Sequence, residues 1–214
     1  MGKEIIQNIS ELLQQGRAKE VQNLVGKALE EGISPDQILS DGLLSGMSII
    51  GEKFKANEVY VPEVLIASRA TNAGMEVLKP YLVDEEVKPL GKVVIGTVQG
   101  DLHDIGKNLV KIMFQGAGFT VIDLGIDVPA EKFIEAIKKE EPQIVAMSAL
   151  LTTTMTEMEK VIEAIKRENL RDSLYIMVGG APVTDNFAQK IGADAYAPDA
   201  ATAASIAKEK MLSA

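Results

Sequence analysis

Apolar positions recur at helical spacing through the first third of the chain and in short unbroken runs through the rest. Ile5, Ile6, Ile9, Leu12 and Leu13 mark one helix, and Val21, Leu24, Val25, Ala28 and Leu29 a second. Ser34-Pro35-Asp36 predicts the start of a third, with Ser34 as cap and Pro35 in the first turn. Ile38, Leu39, Leu43, Leu44, Met47 and Ile50 follow on one broad face, and a fourth helix is predicted from about Pro62 to Leu78. Four helices with short joints, punctuated by Gly16 and Gly32, predict an antiparallel four-helix bundle over residues 1–82. The charged stretch 83–91, with Pro89 and Gly91, reads as a linker.

From Lys92 the period changes. Val93-Val94-Ile95, Phe119 to Leu124, Ile144 to Met147, Leu174 to Val178 and Asp194 to Tyr196 read as short strands. Helices are predicted between them, from Ile105 to Gln115, Pro129 to Lys139, after strand three to Glu168, Thr184 to Lys190 and Asp199 to Met211. Unbroken apolar strands alternating with helices imply a parallel sheet covered on both faces. The fold class is therefore α/β, with a helical domain followed by a five-stranded, flavodoxin-like or Rossmann-like domain over residues 92–214. Such sheets bind ligands outside the carboxyl ends of their strands.

Composition narrows the chemistry. The 214 residues include no Cys and a single His, which excludes disulfides, zinc–thiolate sites, iron–sulfur clusters, cysteine nucleophiles and His-cluster metal centres. No apolar run approaches the roughly 20 residues that span a bilayer, and the amphipathic N-terminus has no signal-peptide core. A net charge of −9 without a basic stripe argues against a nucleic-acid partner. A cytoplasmic protein with neither a membrane nor a nucleic-acid partner is expected.

The single histidine falls where this fold places its ligands. Strand one runs into Gly96-Thr97-Val98-Gln99-Gly100, then Asp101-Leu102-His103-Asp104-Ile105-Gly106-Lys107-Asn108. Asp101 stands where it could accept a bond from the second ring nitrogen of His103, an arrangement that fixes the tautomer of a metal-bound imidazole. The plain alternative is a histidine that merely decorates a helix N-terminus. Neither nucleotide motif is met: Gly96, Gly100 and Gly106 are misplaced for a dinucleotide fingerprint, and Gly100 and Gly106 enclose five residues rather than the four of a phosphate loop. Strand three ends in Ser148-Ala149-Leu150-Leu151-Thr152-Thr153-Thr154, and strand four in Gly179-Gly180-Ala181-Pro182. Alone, the first reads as a capping stretch and the second as a turn.

Taken together, Asp101-x-His103-x-x-Gly106, 41 residues, Ser148-x-Leu150, 28 residues and Gly179-Gly180 resemble the signature of the cobalamin-binding domain. Gly51-Glu52-Lys53-Phe54 and Glu58-Val59-Tyr60-Val61-Pro62-Glu63 resemble the helical cap that accompanies it in methionine synthase and in corrinoid proteins of methyltransferase systems. The resemblance covers nearly the whole chain. It implies a cobalamin or related corrinoid, cycling between methylcob(III)alamin and cob(I)alamin, with His103 as the axial ligand to cobalt. It further implies that Asp101 bonds the far nitrogen of His103 and that Thr154 supplies the hydroxyl partner of Asp101, where the family often has Ser. Ser148, Leu150 and Thr152 would line the slot for the nucleotide tail, with Gly179 and Gly180 allowing close approach and Tyr196 and Asp199 as further candidates. Phe54 and Val61 match cap positions over the methyl group, although apolar residues at helical spacing are usually core.

The class implied is a free-standing methyl carrier, a non-autonomous corrinoid subunit rather than a complete enzyme. It would be charged by a substrate-specific methyltransferase and discharged by a second one acting on a thiol such as coenzyme M or on tetrahydrofolate. A reductive activase would be a third partner. Asn169-Leu170-Arg171-Asp172-Ser173, with Gly180-Ala181-Pro182-Val183, looks most like the methylamine group, placing the chain in methylamine metabolism, whether methanogenesis or acetogenesis. The alternatives are a cobalamin storage or sensing module, and a flavodoxin-like nucleotide binder indifferent to His103. The methyl donor and acceptor, the resting oxidation state, the lower base of the corrinoid and the oligomeric state are not encoded in any motif.

Overall fold

The structure, a computed structural model, describes residues 2–82 and 89–213. The chain divides at 88/89 into two compact units. The expected linker falls largely on 83–88, outside the described residues. Leu90 and Gly91, which sequence had assigned to it, are bonded into the second unit: the Leu90 N–H donates to the Gly118 carbonyl (2.9 Å) and the Gly91 carbonyl accepts from Thr120 (2.9 Å).

The first unit holds α1 (Gly2–Gln14), α2 (Ala18–Glu30), α3 (Pro35–Gln37), α4 (Ser45–Lys55) and α5 (Val61–Leu82). A π-helical stretch, Ile38–Leu44, joins α3 to α4 without a break in helical backbone, so 35–55 form one continuous helix. Ser34 caps it, its hydroxyl accepting from the Gln37 N–H at 3.2 Å. With α1, α2 and α5 this makes four helices: α1 packs on α2 and on the 35–55 helix, and α5 packs on the same two. The apolar stripes meet inside, where Ile9, Leu13, Val21, Val25, Ile38, Leu43, Ile50 and Leu78 are buried. The periodicity carries no signal of the π-helical widening, although Ile38, Leu39, Leu43, Met47 and Ile50, expected on the inward face, are buried. The fourth helix runs past the expected end at Leu78, through Pro80, to Leu82. In the last turn, Pro80 removes a single helical bond, to the Glu76 carbonyl, and only two helical residues follow it, so the helix is little disturbed.

The second unit is a parallel sheet of β1 (Lys92–Thr97), β2 (Thr120–Asp123), β3 (Ile144–Ser148), β4 (Tyr175–Gly179) and β5 (Ala195–Ala197), in the order β2-β1-β3-β4-β5. The connecting helices are α6 (Ile105–Gly116), α7 (Ala130–Glu140), α8 (Met155–Arg167), α9 (Asp185–Ile191) and α10 (Ala200–Leu212). Alternate residues of the apolar strands serve opposite faces. Val94, Val145, Ile176 and Val178 pack with Phe133 of α7 and Met158, Ile162 and Ile165 of α8. Val93, Ile95, Ile144, Ala146 and Met177 pack with Phe114 of α6 and Ala203 and Ala207 of α10.

This topology sets the site. The chain leaves β1 toward a helix on one face and leaves β3 toward a helix on the other, so the two loops diverge and open a crevice between them. Register places Thr97, Ser148 and Gly179 side by side at the carboxyl edge.

Candidate functional site

Asp101 is the hub of that crevice. Its side chain is fully buried, and five donors converge on it. Oδ1 accepts from the His103 N–H (3.1 Å) and faces His103 Nδ1 at 2.8 Å. Oδ2 accepts from the Thr154 hydroxyl (2.7 Å) and the backbone N–H groups of Leu150 (2.7 Å) and Leu151 (3.3 Å). Burial alone would raise the Asp101 pKa. The bonds from Thr154, Leu150 and both donors of His103 outweigh it and hold the carboxyl well below the usual carboxylate range. Asp101 is therefore ionised and purely an acceptor. It follows that His103 carries its proton on Nδ1, leaving the lone pair on Nε2, on the ring edge away from Asp101. The His103 side chain is half exposed.

The loop bearing His103 is fastened by backbone and side chain alike. The buried Thr97 hydroxyl donates to the His103 carbonyl (2.9 Å). Gly100 turns at φ +79°, and its N–H donates to Asp127 Oδ1 (2.7 Å). The Asp127 N–H returns to the Asp101 carbonyl (3.0 Å). Thr97 and Asp127 carry no local sequence signal, since their partners are 6 and 27 residues away.

The structure brings Asp101, His103, Leu150 and Thr154 into one network and sets Ser148 at the end of β3, where its carbonyl accepts from Val98 (3.0 Å). Thr152 is exposed on the loop between Leu150 and Thr154. Gly179 ends β4, and Gly180 follows at φ +130° with its backbone against the Ala149 carbonyl. Tyr196 is half-buried in β5 and packs against the sheet core. Asp199 caps α10, accepting from the Thr202 N–H (2.8 Å) and hydroxyl (2.7 Å). Phe54 and Val61 are half-buried in the helical unit, in the last turn of α4 and at the start of α5. Their expected role rests on the resemblance.

Two further features belong to the same loops. Leu102 and Ile105, on either side of His103, are 68% and 76% exposed, and Ile126, Leu150 and Leu151 also present apolar surface. Clustered exposed apolar groups mark a binding surface. Gly106, in the first turn of α6, has no left-handed φ, and a Cβ built there would meet nothing within 4 Å. No contact within the unit requires glycine at this position. An outward imidazole nitrogen, an apolar apron and an unfilled glycine together suit a large, flat, largely apolar metal macrocycle. Among the described residues no cluster of three or more His, Asp or Glu could hold a metal ion by itself.

Comparison with known proteins agrees. The family described as B12 binding domain matches residues 91–205, and a second family of the same description matches residues 5–79. Trimethylamine corrinoid protein 1 of Methanosarcina acetivorans is 46% identical over 188 residues, 87% of each chain. Dimethylamine corrinoid protein 1 of Methanosarcina mazei is 41% identical over 211 residues, 98% of this chain and 97% of its own. Among solved structures, the methanol:cobalamin methyltransferase complex of Methanosarcina barkeri matches with a TM-score of 0.88 at 30% identity, over 99% of this chain and 81% of that one. A cobalamin-binding protein of Desulfitobacterium hafniense matches with a TM-score of 0.79 at 31% identity, over 95% and 97%. Fold and site thus define a cobalamin-binding α/β unit joined to a helical one. The chain belongs to the B12-binding corrinoid proteins.

Proposed function

We propose that this corrinoid protein carries a methyl group for a methyltransferase system, with His103 Nε2 as the axial ligand to cobalt. The single observation that carries the ligand assignment is the 2.8 Å pairing of His103 Nδ1 with buried, ionised Asp101, which leaves Nε2 as the coordinating atom. The bound corrinoid supplies the methyl-binding metal; the chain supplies binding, orientation and control of a proton. Asp101 holds the proton at Nδ1, so a proton taken up when the imidazole is off the metal goes onto Nε2, the same atom that ligates. Thr154 anchors the other oxygen of Asp101 and so fixes the plane of the carboxylate. Leu102, Ile105 and Ile126 would provide apolar surface toward a bound macrocycle.

The methylamine relatives favour a methyl group drawn from a methylated amine, delivered by a substrate-specific methyltransferase. The onward partner is a second methyltransferase acting on a thiol or on tetrahydrofolate, with a reductive activase restoring the reduced cofactor. The slot for the nucleotide tail is assigned to Ser148, Leu150, Thr152, Gly179 and Gly180, with Tyr196 and Asp199 at its margin. Among the described residues no helix is long and apolar enough to cross a membrane, which fits the cytoplasmic setting we assign.

The test is an ultraviolet–visible spectrum after anaerobic reconstitution with hydroxocobalamin and desalting, beside His103→Ala. Wild type retains a corrinoid spectrum that shifts in the variant, while the melting temperature falls by only a few degrees, because one of five donors to Asp101 is lost and the half-exposed site lets water replace it. Identical spectra would remove His103 from the metal. Gly106→Ala separates ligand approach from folding. Alanine is favoured over glycine in a helix by up to about 1 kcal/mol, so the apoprotein is expected to be no less stable, whereas cobalamin affinity falls at least about tenfold by titration. Unchanged affinity would show that the cofactor does not press on this turn.

A further inference from the structure

We propose that Lys107 is a positioning residue that holds the His103 loop in its ligating conformation before any cofactor is bound, an inference that rests on His103 being the metal ligand. Lys107 sits one residue beyond Gly106, in the first turn of α6. The residue is almost wholly buried, at 3% exposure, and its ammonium lies 2.7 and 2.8 Å from the two carboxylate oxygens of Asp123 and 2.7 Å from Asn108 Oδ1. Lys111, a turn later, reaches the same carboxylate at 3.1 Å. Burying a lysine costs several kcal/mol in desolvation, and a pair of apolar residues commonly packs as well or better. Stability alone therefore gives a weak reason for charge at this point.

The geometry gives a better one. Asp123 ends β2, and its Oδ1 also accepts from the Gly125 N–H at 3.0 Å, which directs the chain into the following loop. That loop carries Asp127 in the left-handed region, at φ +53°, which aspartate and asparagine enter more readily than other non-glycine residues. Asp127 fastens the His103 loop there, accepting from the Gly100 N–H and donating its own N–H to the Asp101 carbonyl. The contacts form a closed circuit: His103, the first turn of α6, Lys107, Asp123, Gly125, Asp127, Asp101 and back to His103. The loop between β1 and α6 has no regular structure of its own, so this circuit holds both its ends. An imidazole that would hold a metal is presented in one position only if its loop stays put.

The experiment compares wild type, His103→Ala, Lys107→Met and the double variant Lys107→Met/Asp123→Leu, which removes both partners of the ion pair at once in case the single variant fails to fold. Amide hydrogen exchange is measured on the apoproteins, and the spectrum on the same proteins reconstituted with hydroxocobalamin. The expected result is exchange at least about tenfold faster at the Gly100 and His103 amides, with β3 amides unchanged. The spectral difference that separates wild type from His103→Ala should shrink by more than half in the Lys107 variants. A purely structural role would lower the melting temperature without moving either reading. Wild-type exchange in the loop together with a wild-type spectrum overturns the proposal, whatever the melting temperature. If wild type and His103→Ala share one spectrum, the ligand assignment has failed instead; the exchange measurement needs no cofactor and still decides whether Lys107 fixes the loop.

Discussion

Asp101→Asn is expected to lower the melting temperature by about 10 °C and to weaken ligation by His103. The carboxylate accepts from five donors on its two oxygens, whereas an amide of the same shape offers one oxygen and turns an NH2 group toward one of those donor sets. Facing Oδ2's partners, the NH2 opposes the Leu150 and Leu151 N–H groups and leaves them without an acceptor. Facing Oδ1's partners, it drives His103 to the other tautomer, with hydrogen on Nε2 and no lone pair for a metal. Either way a buried network loses acceptors, at about 1–3 kcal/mol for each donor left unsatisfied. The sum is about 3 kcal/mol, which for a domain of this size corresponds to the shift given. A thermal melt and the spectrum of the reconstituted variant check both parts. A variant melting within a degree or two of wild type would mean that the five bonds are not made together in solution.

The same bonds make the α/β unit acid-sensitive. Asp101 is held below its ordinary range despite burial, by the donors already named. Asp123 is lowered too: burial opposes ionisation there, but the bonds from Lys107, Gly125 and Lys111 prevail. Unfolded aspartates titrate near about 4. A depressed folded-state pKa contributes stability that is fully present above that value and is lost as pH falls through the folded value. The melting temperature should therefore be level toward neutral pH and fall below about pH 4. Asp123→Asn should start lower and lose less on acidification, which a series of melts from neutral to acid would show.

Gly180→Ala is expected to be the most damaging single methyl group in the molecule. A Cβ there would lie 1.8 Å from the Ala149 oxygen and 2.8 Å from its carbonyl carbon, and the backbone sits at φ +130°, where an alanine is strained even in free space. The obstacle is backbone and cannot rotate away. Relief requires parting the ends of β3 and β4, where Ala149 N–H donates to the Gly179 carbonyl at 3.2 Å. We expect a loss above about 4 kcal/mol, the exceptional end of point mutations, seen as little soluble protein and a melt that has lost its cooperative transition. Gly100→Ala is the control. Its φ of +79° is also unfavourable, yet the nearest atom to a Cβ is Thr154 Cγ2 at 3.6 Å, so the cost should stay near 1–2 kcal/mol. Comparable losses in the two variants would mean that backbone conformation, not the Ala149 carbonyl, sets the price at Gly180.

Much of this protein is legible in its sequence because the information is local. Helical stripes, unbroken apolar strands and the Ser34-Pro35 start are patterns within a dozen residues, and every strand and helix forms close to where they place it. The Asp101–His103 pair is local as well, two residues apart. The errors are instructive: Pro80 is tolerated because only the final turn of the helix lies beyond it, and the π-helical turn at Ile38–Leu44 lies within an apolar run that an ordinary helical stripe also describes.

What only the tertiary structure decided is non-local. Thr154 and Leu150 reach Asp101 across 53 and 49 residues, Asp127 reaches Gly100 across 27, and Lys107 reaches Asp123 across 16. A buried lysine, a left-handed aspartate and a glycine wedged against a carbonyl look like ordinary polar and turn residues until the strands bring their partners alongside. The sequence by itself determined the elements, the loop that carries His103 and the pairing of His103 with Asp101. The order of the strands decided which distant groups complete that pairing, because a hydrogen bond acts over about 3 Å and only the folded sheet brings such residues that close.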